Sequence, residues 1–351
     1  MRSAAEIKSD LDRFVVGQEA AKRTVATAVA NHYRAVAYQG ETRIRKANLL
    51  MLGPTGSGKT FLIETVARLL EVPYAQTNAT AVTPAGWAGE DPDTVVRQLV
   101  QRSRMRFGKD DGWKRALEGI VYIDEVDKMA QRRSDVPAVS AGFTNVSIQQ
   151  SLLKIVEGAF VTVDGNPFPT DDILFVASGA FVGLDEIVAK REAGGRFDRA
   201  AVRDTRVLRR AVPRDLVEYG FIPEFIGRFP VLCVVEPLTE ADMVAVLRDV
   251  QDSLLAQWQA RLSVDGCTLD IAESVLRNIA RAALAQGTGA RGLQTALERL
   301  MEPVLFDIGP NTAVRISGAG IEKRAVVPSK GAYAPPAEAG EPRPDRPPKT
   351  D

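Results

Sequence analysis

Gly53-Pro54-Thr55-Gly56-Ser57-Gly58-Lys59-Thr60 fits the pattern G-x-x-x-x-G-K-[ST] without a mismatch. Residues 47–52 ahead of it read as a short buried strand. Residues 61–70 after it read as an amphipathic helix, with Leu62, Val66, Leu69 and Leu70 along one side. Strand, glycine loop and helix in that order make the pattern a phosphate site rather than a chance match. The glycines let the backbone curl so that its N–H groups converge on an anion. The helix that follows adds its positive N-terminal end. Lys59 is expected to reach the β- and γ-phosphates and the Thr60 hydroxyl to ligate Mg²⁺. Pro54, Thr55, Gly56, Ser57, Gly58, Lys59, Thr60 and Phe61 are therefore the expected triphosphate-binding residues.

The second signal is Gly119-Ile120-Val121-Tyr122-Ile123-Asp124-Glu125. A strand buried on both faces cannot hold carboxylates inside, so Asp124 and Glu125 must emerge at its C-terminal edge. In an open parallel sheet that edge is where ligands bind. Asp124 is expected to hold Mg²⁺, usually through its water shell. Glu125 would orient or deprotonate the attacking water. Two solvated acids at a strand end would look the same in isolation; the phosphate loop in the same chain favours the hydrolytic reading. Ser178, at the end of the apolar run 172–178, is either a sensor of the γ-phosphate or a small residue placed for packing.

The chain has 351 residues, enough for two units and a tail, with 45 Lys+Arg against 45 Asp+Glu. A formal net charge of zero argues against gripping nucleic acid by bulk charge. Cys233 and Cys267 lie in apolar runs and read as reduced core residues; two cysteines cannot build a four-cysteine zinc site. No apolar run is long enough to span a membrane, and residues 1–12 lack a signal-peptide core. The expected setting is cytoplasmic, and zinc is not expected. The single histidine, His32, falls in a long helix predicted from Gly17 to about Tyr38 and reads as a satisfied core residue. Gly86-Trp87-Ala88-Gly89 puts an aromatic in a polar, glycine-flanked loop, either folded back on its own unit or presented as a grip.

Residues 130–147 read as irregular, followed by a helix over 149–155 and half a hairpin at 160–166. Arg228 stands among apolar residues just before the strand 231–235, so it must pair or point out of its own unit. Pro237-Leu238-Thr239 marks a boundary. Beyond it the periodicity predicts a helix over about 240–260, a strand at 267–271, helices over 272–286 and 290–307, and two weak strands. Arg291 falls in the first turn of a helix, where a cation opposes the dipole, so it is placed to meet an anion or points to solvent. Residues 329–351 are rich in Pro, Ala, Glu and Arg and read as a disordered tail.

Taken together, these stretches resemble an AAA+ ATPase, and within that class the ATPase core of the ClpX-type protein unfoldases. The resemblance covers roughly residues 5–325. It rests on Val15-Val16-Gly17-Gln18, the phosphate loop, Gly86-Trp87-Ala88-Gly89, Tyr122-Ile123-Asp124-Glu125-Val126-Asp127-Lys128, Ile222-Pro223-Glu224-Phe225-Ile226-Gly227-Arg228 and Gly289-Ala290-Arg291-Gly292-Leu293. It implies an α/β fold: a large P-loop NTPase domain (1–236) with a parallel sheet flanked by helices, then a small, mainly helical α+β lid domain (237–328). It further implies ATP and Mg²⁺ as cofactors, Val15 and Val16 against the base, and Arg291 as the second-sensor arginine. Arg228 resembles the arginine finger acting in trans, hence a homo-oligomer, in the family a hexamer. Trp87 with Ala88 resembles the pore loop that grips polypeptide clients, which disfavours nucleic acid as the cargo.

Three departures stand out. The family's N-terminal four-cysteine zinc domain has no counterpart in these residues. The second pore loop lacks the family's arginine, and Asp164-Gly165-Asn166-Pro167-Phe168-Pro169 replaces a basic loop. The tripeptide that docks a ClpP-type peptidase is matched only by Ala193-Gly194-Gly195-Arg196-Phe197, with no apolar residue ahead of a Gly-Phe pair. That argues against peptidase docking, because arginine in an apolar socket carries a desolvation cost.

Overall fold

The computed structural model describes residues 2–82 except 39, 43 and 45, then 91–130, 139–194 and 207–325, with the side chains of 139–144 excluded. Trp87, Ala88, Gly195-Arg196-Phe197 and the tail lie outside these residues; of the second pore loop, about 138–147, only the backbone of 139–147 and the side chains of 145–147 lie within them. The chain opens with helix α1 (Ala4–Asp12) and α2 (Glu19–Val36), then β1 (Leu49–Leu52), α3 (Lys59–Leu70) and β2 (Tyr74–Asn78). Helices α4 (Asp93–Phe107) and α5 (Lys109–Ala116), strand β3 (Ile120–Asp124) and α6 (Val139–Glu157) follow. A hairpin of β4 (Phe160–Val163) and β5 (Asn166–Pro169), then β6 (Leu174–Gly179), α7 (Leu184–Glu192), short helices at Val207–Arg210, Pro213–Tyr219 and Pro223–Gly227, and β7 (Val231–Val234) complete the larger unit.

Five strands form one sheet in the order β2-β3-β6-β1-β7, every neighbouring pair parallel. Alternate residues leave each strand on opposite faces. Leu50, Leu52, Val121, Ile123 and Phe175 pack with α4, α6 and α7 on one face. Leu49, Met51, Ile120, Tyr122 and Val176 pack with α1, α2 and α3 on the other. Burial on both faces is why these strands read as unbroken apolar runs. Parallel pairing also sends every strand's C-terminal end to the same edge: Asn78 sits beside Asp124, and Met51 beside Ser178.

The smaller unit packs helices Glu240–Arg248, Leu254–Ser263, Glu273–Ala285 and Ala290–Phe306 against a three-stranded sheet, β10 (Gly320–Ala325), β9 (Thr312–Ser317) and β8 (Thr268–Ile271). Met243, Leu247, Leu276, Leu293, Leu297 and Met301 fill its core. No described helix is long and apolar enough to cross a membrane.

One helix went unpredicted and three expectations need correction. Helix α1 was not foreseen; its start is a capping box in which Ser3 and Glu6 bond each other's backbone N–H. Residues 139–147, expected to be irregular, belong to α6; their Val, Ser, Gly and Thr are weak helix formers, and a helix nucleated by the apolar stretch beyond propagates through them. The helix expected over 240–260 is two helices. Asp252 is left-handed (φ +59), Ser253 caps the second helix through Ala256 N–H, and Gln251 N–H donates to the Arg13 carbonyl at 2.8 Å. His32 is in the core, where burial pushes its pKa down to about 4 against an opposing interaction with the Asp172 backbone, and neither ring nitrogen makes a well-formed hydrogen bond among the described residues.

Candidate active site between the two units

A cleft of about 480 Å³ runs between the sheet edge and the smaller unit. Val15, Val16, Thr55, Gly56, Ser57, Gly58, Lys59, Thr60, Phe61, Asp124, Glu125 and Arg291 all line it. Pro54 does not line it; its carbonyl accepts from Lys59 Nζ at 2.9 Å and from Ser57 Oγ at 2.8 Å, which ties the loop closed. A larger cavity of about 690 Å³ lies against Tyr33, Leu69 and Glu118 and contains none of the motif residues.

At one end of the cleft, Lys59 Nζ also donates to the Gly53 carbonyl at 2.7 Å. Burial pulls the Lys59 ammonium below its usual pKa, while Asp124 and Asp127 oppose that. Thr60 Oγ1 lies 3.4 Å from Asp124 Oδ2. A hydroxyl and one carboxylate are hard oxygen donors, and Mg²⁺ characteristically takes one or two such protein ligands and fills the rest with phosphate and water. The residues present therefore fit Mg²⁺. Asp124 Oδ1 accepts from Glu125 N–H at 2.9 Å and from Ser178 Oγ at 2.6 Å.

Glu125 leaves the strand in a left-handed conformation (φ +57), uncommon for a residue with a side chain. Its Oε2 accepts from Asn78 Nδ2 at 2.9 Å, and Asn78 Oδ1 accepts in turn from Thr80 N–H at 3.0 Å. Asn78 was not singled out from the sequence, because its place beside Asp124 follows only from strand order. Ser178 is fully buried and bonded to Asp124 and Tyr122, so it faces the carboxylate and not the cleft. Of its two readings, this favours the small residue placed for packing over the γ-phosphate sensor. Tyr122, read only as a core residue, places its hydroxyl 3.1 Å from Thr60 Oγ1.

The smaller unit touches the phosphate loop through backbone. Ala290 N–H donates to the Gly56 carbonyl at 3.0 Å. Gly56 (φ +76) and Gly289 (φ +57) lie back to back, and a Cβ on Gly289 would stand 2.6 Å from the Gly56 carbonyl oxygen. This contact sets the helix Ala290–Phe306 with its first turn, and so Arg291, at the cleft.

The other end is apolar. Phe14, Val15 and Val16 line it together with Leu238, Val246, Val250 and Leu254 of the smaller unit. Lys22 Nζ, buried against Asp12 and Glu19, donates to the Val15 carbonyl at 3.3 Å. Gln18 makes both possible amide bonds to Glu236: Nε2 to its carbonyl at 2.8 Å, and Glu236 N–H to Oε1 at 2.9 Å. Of these, Leu238, Val246, Val250 and Leu254 had no signal in the sequence as ligand-facing residues.

Arg228 is not in the cleft. Its side chain, 47% exposed, pairs with Glu157 Oε1 through Nη2 at 2.6 Å and Nε at 2.7 Å. The arginine expected to pair or point out of its own unit is thus half-exposed and paired.

A glycine phosphate loop after the first strand, two acids after the third, and an arginine from a helical lid define a P-loop ATPase of the AAA+ class. Residues 44–232 match the family described as the AAA domain (Cdc48 subfamily), and residues 238–310 match the C-terminal, D2-small domain, of ClpB protein. The chain is also 39% identical over 316 residues to the ATP-dependent Clp protease ATP-binding subunit ClpX 2 of Wolinella succinogenes, a span covering 86% of this chain and 77% of that relative. The chain belongs to the ClpX-type AAA+ ATPases, and it is an ATP hydrolase.

Proposed function

We propose that this chain is a Mg²⁺-ATP-driven protein unfoldase or remodeller that works as a hexameric ring. The supporting observation is the division of arginines: Arg291 lines the chain's own cleft with Lys59, Thr60, Asp124 and Glu125, while Arg228 lies outside it. ATP binds between a large domain (1–236) and a small domain (237–328). Lys59 and Arg291 offset charge on the phosphates, and Thr60 with Asp124 would hold Mg²⁺. Mg²⁺, when bound, neutralises charge developing between the β- and γ-phosphates. Glu125, held by Asn78, orients the attacking water and takes its proton. Arg228 serves the neighbour's cleft as an arginine finger, which is typically worth about 10³–10⁵ in rate.

Trp87, with small Ala88 beside it, grips the polypeptide. The run Ala193-Gly194-Gly195-Arg196-Phe197 favours a remodeller that works without a ClpP-type peptidase. Purified Glu125→Gln should bind ATP and lose turnover, and with ATP it should elute as a hexamer holding trapped clients. Unchanged turnover would overturn the catalytic assignment. A monomer that hydrolyses ATP at the full rate would overturn the ring.

A further inference from the structure

We propose that Tyr122 is a positioning residue for the hydrolytic centre, its buried hydroxyl fixing how Thr60 and Asp124 present their oxygens. This rests on the reading of those two residues as the Mg²⁺ ligands.

Tyr122 lies mid-strand in β3 and is fully buried on the face packed by α1, α2 and α3. Phenylalanine would satisfy that packing equally well. A hydroxyl there costs free energy unless it is bonded, so its contacts are informative. It lies 2.6 Å from Ser178 Oγ and 3.1 Å from Thr60 Oγ1. Ser178 Oγ in turn donates to Asp124 Oδ1 at 2.6 Å.

Counting protons gives this chain a direction. The carboxylate can only accept, so the Ser178 proton is committed to Asp124. Ser178 must then accept from Tyr122, which spends its own proton there. At the remaining contact Tyr122 can only accept, so Thr60 donates to it. The competing donation from Thr60 to Asp124 Oδ2 spans 3.4 Å, longer and weaker than 3.1 Å.

Two consequences follow. The Thr60 proton is drawn towards the core, leaving its lone pairs for the cleft. Asp124 Oδ1 is held twice, by Ser178 and by Glu125 N–H, so Oδ2 is left to bind. Without the Tyr122 hydroxyl, the Thr60 proton would turn to Asp124 Oδ2 and cover the oxygen that a cation needs.

The test uses the full chain and titrates a fluorescent ADP analogue in EDTA and across a range of Mg²⁺. Tyr122→Phe should leave affinity in EDTA unchanged and raise the Mg²⁺ half-saturation concentration about tenfold, the worth of one hydrogen bond. Ser178→Ala, which leaves the ring in place if Tyr122→Phe misfolds, should shift it the same way. The double variant should be no worse than the worse single one, because both break one chain. An unchanged Mg²⁺ half-saturation in Ser178→Ala and Tyr122→Phe overturns the proposal. So does an equal loss of affinity in EDTA, which is what a packing role would give. Asp124→Asn separates the two readings: if it too leaves the Mg²⁺ dependence untouched, the assignment of the ligands fails rather than the relay.

Discussion

At the end of the cleft that the proposed function gives to the phosphates, Lys59, Thr60, Asp124 and Glu125 all stand at the C-terminal edge of the parallel sheet, at the end of β3 or in the loop and helix that follow β1. At the base end, Phe14, Val15, Val16, Leu238, Val246, Val250 and Leu254 come from a loop, a linker and two helices of different units. The first set is held by covalent continuity with a sheet buried on both faces. The second exists only because the smaller unit docks, through Gln251 N–H on the Arg13 carbonyl, while the Gln18 amide holds Glu236 at the end of the larger unit, where the linker begins. On the proposed function, chemistry is therefore built on rigid strand ends, and nucleotide affinity is built across the joint between units.

The most severe way to probe this division is Lys59→Ala. Removing a buried charge aimed at the phosphates should lower turnover by about 10²–10³, measured as steady-state ATP hydrolysis. Gln18→Asn acts at the other end. Asparagine tolerates the left-handed backbone at this position (φ +56) but is one methylene too short to reach both groups of Glu236. Leaving those groups unpaired should cost about 1–3 kcal/mol in a denaturant titration and raise KM for ATP more than it lowers kcat. If Gln18→Asn instead lowered kcat alone, as Lys59→Ala does, the two ends would not be separable. The smallest effect is expected from Ser3→Ala, which removes the cap of α1 at a cost of about 1 kcal/mol. Amide exchange should quicken in α1, while turnover at saturating ATP stays as it was; a fall in that turnover would place α1 in the catalytic machinery.

The same contrast explains what could be read from the chain alone. The phosphate loop and the Asp124-Glu125 pair announce themselves because backbone curvature and burial demand those residue types at those spacings. The parallel sheet was legible too, since strands buried on both faces leave unbroken apolar runs. Asn78 escaped notice because it becomes a neighbour of Asp124 only once β2 is known to pair with β3. Ser178 kept two readings because the side of the strand it faces depends on register. The break at 249–253 was invisible to helical periodicity, although Ser253 is a good cap, because what bends the chain there is a bond to Arg13 in the other unit.

The meeting of Gly56 with Gly289 has a mechanical consequence. Where side chains touch, evolution can tune the spacing of two moving parts by changing their size. Here two bare backbones are already in contact, and a single added carbon on Gly56 would stand 2.5 Å from the Thr288 carbonyl oxygen. The contact behaves as an end-stop: the units can separate from this position but cannot close further. The peptide that acts as the stop is the same one that curls around the phosphates. Strain placed on the lid is thus felt first by the loop that holds the fuel.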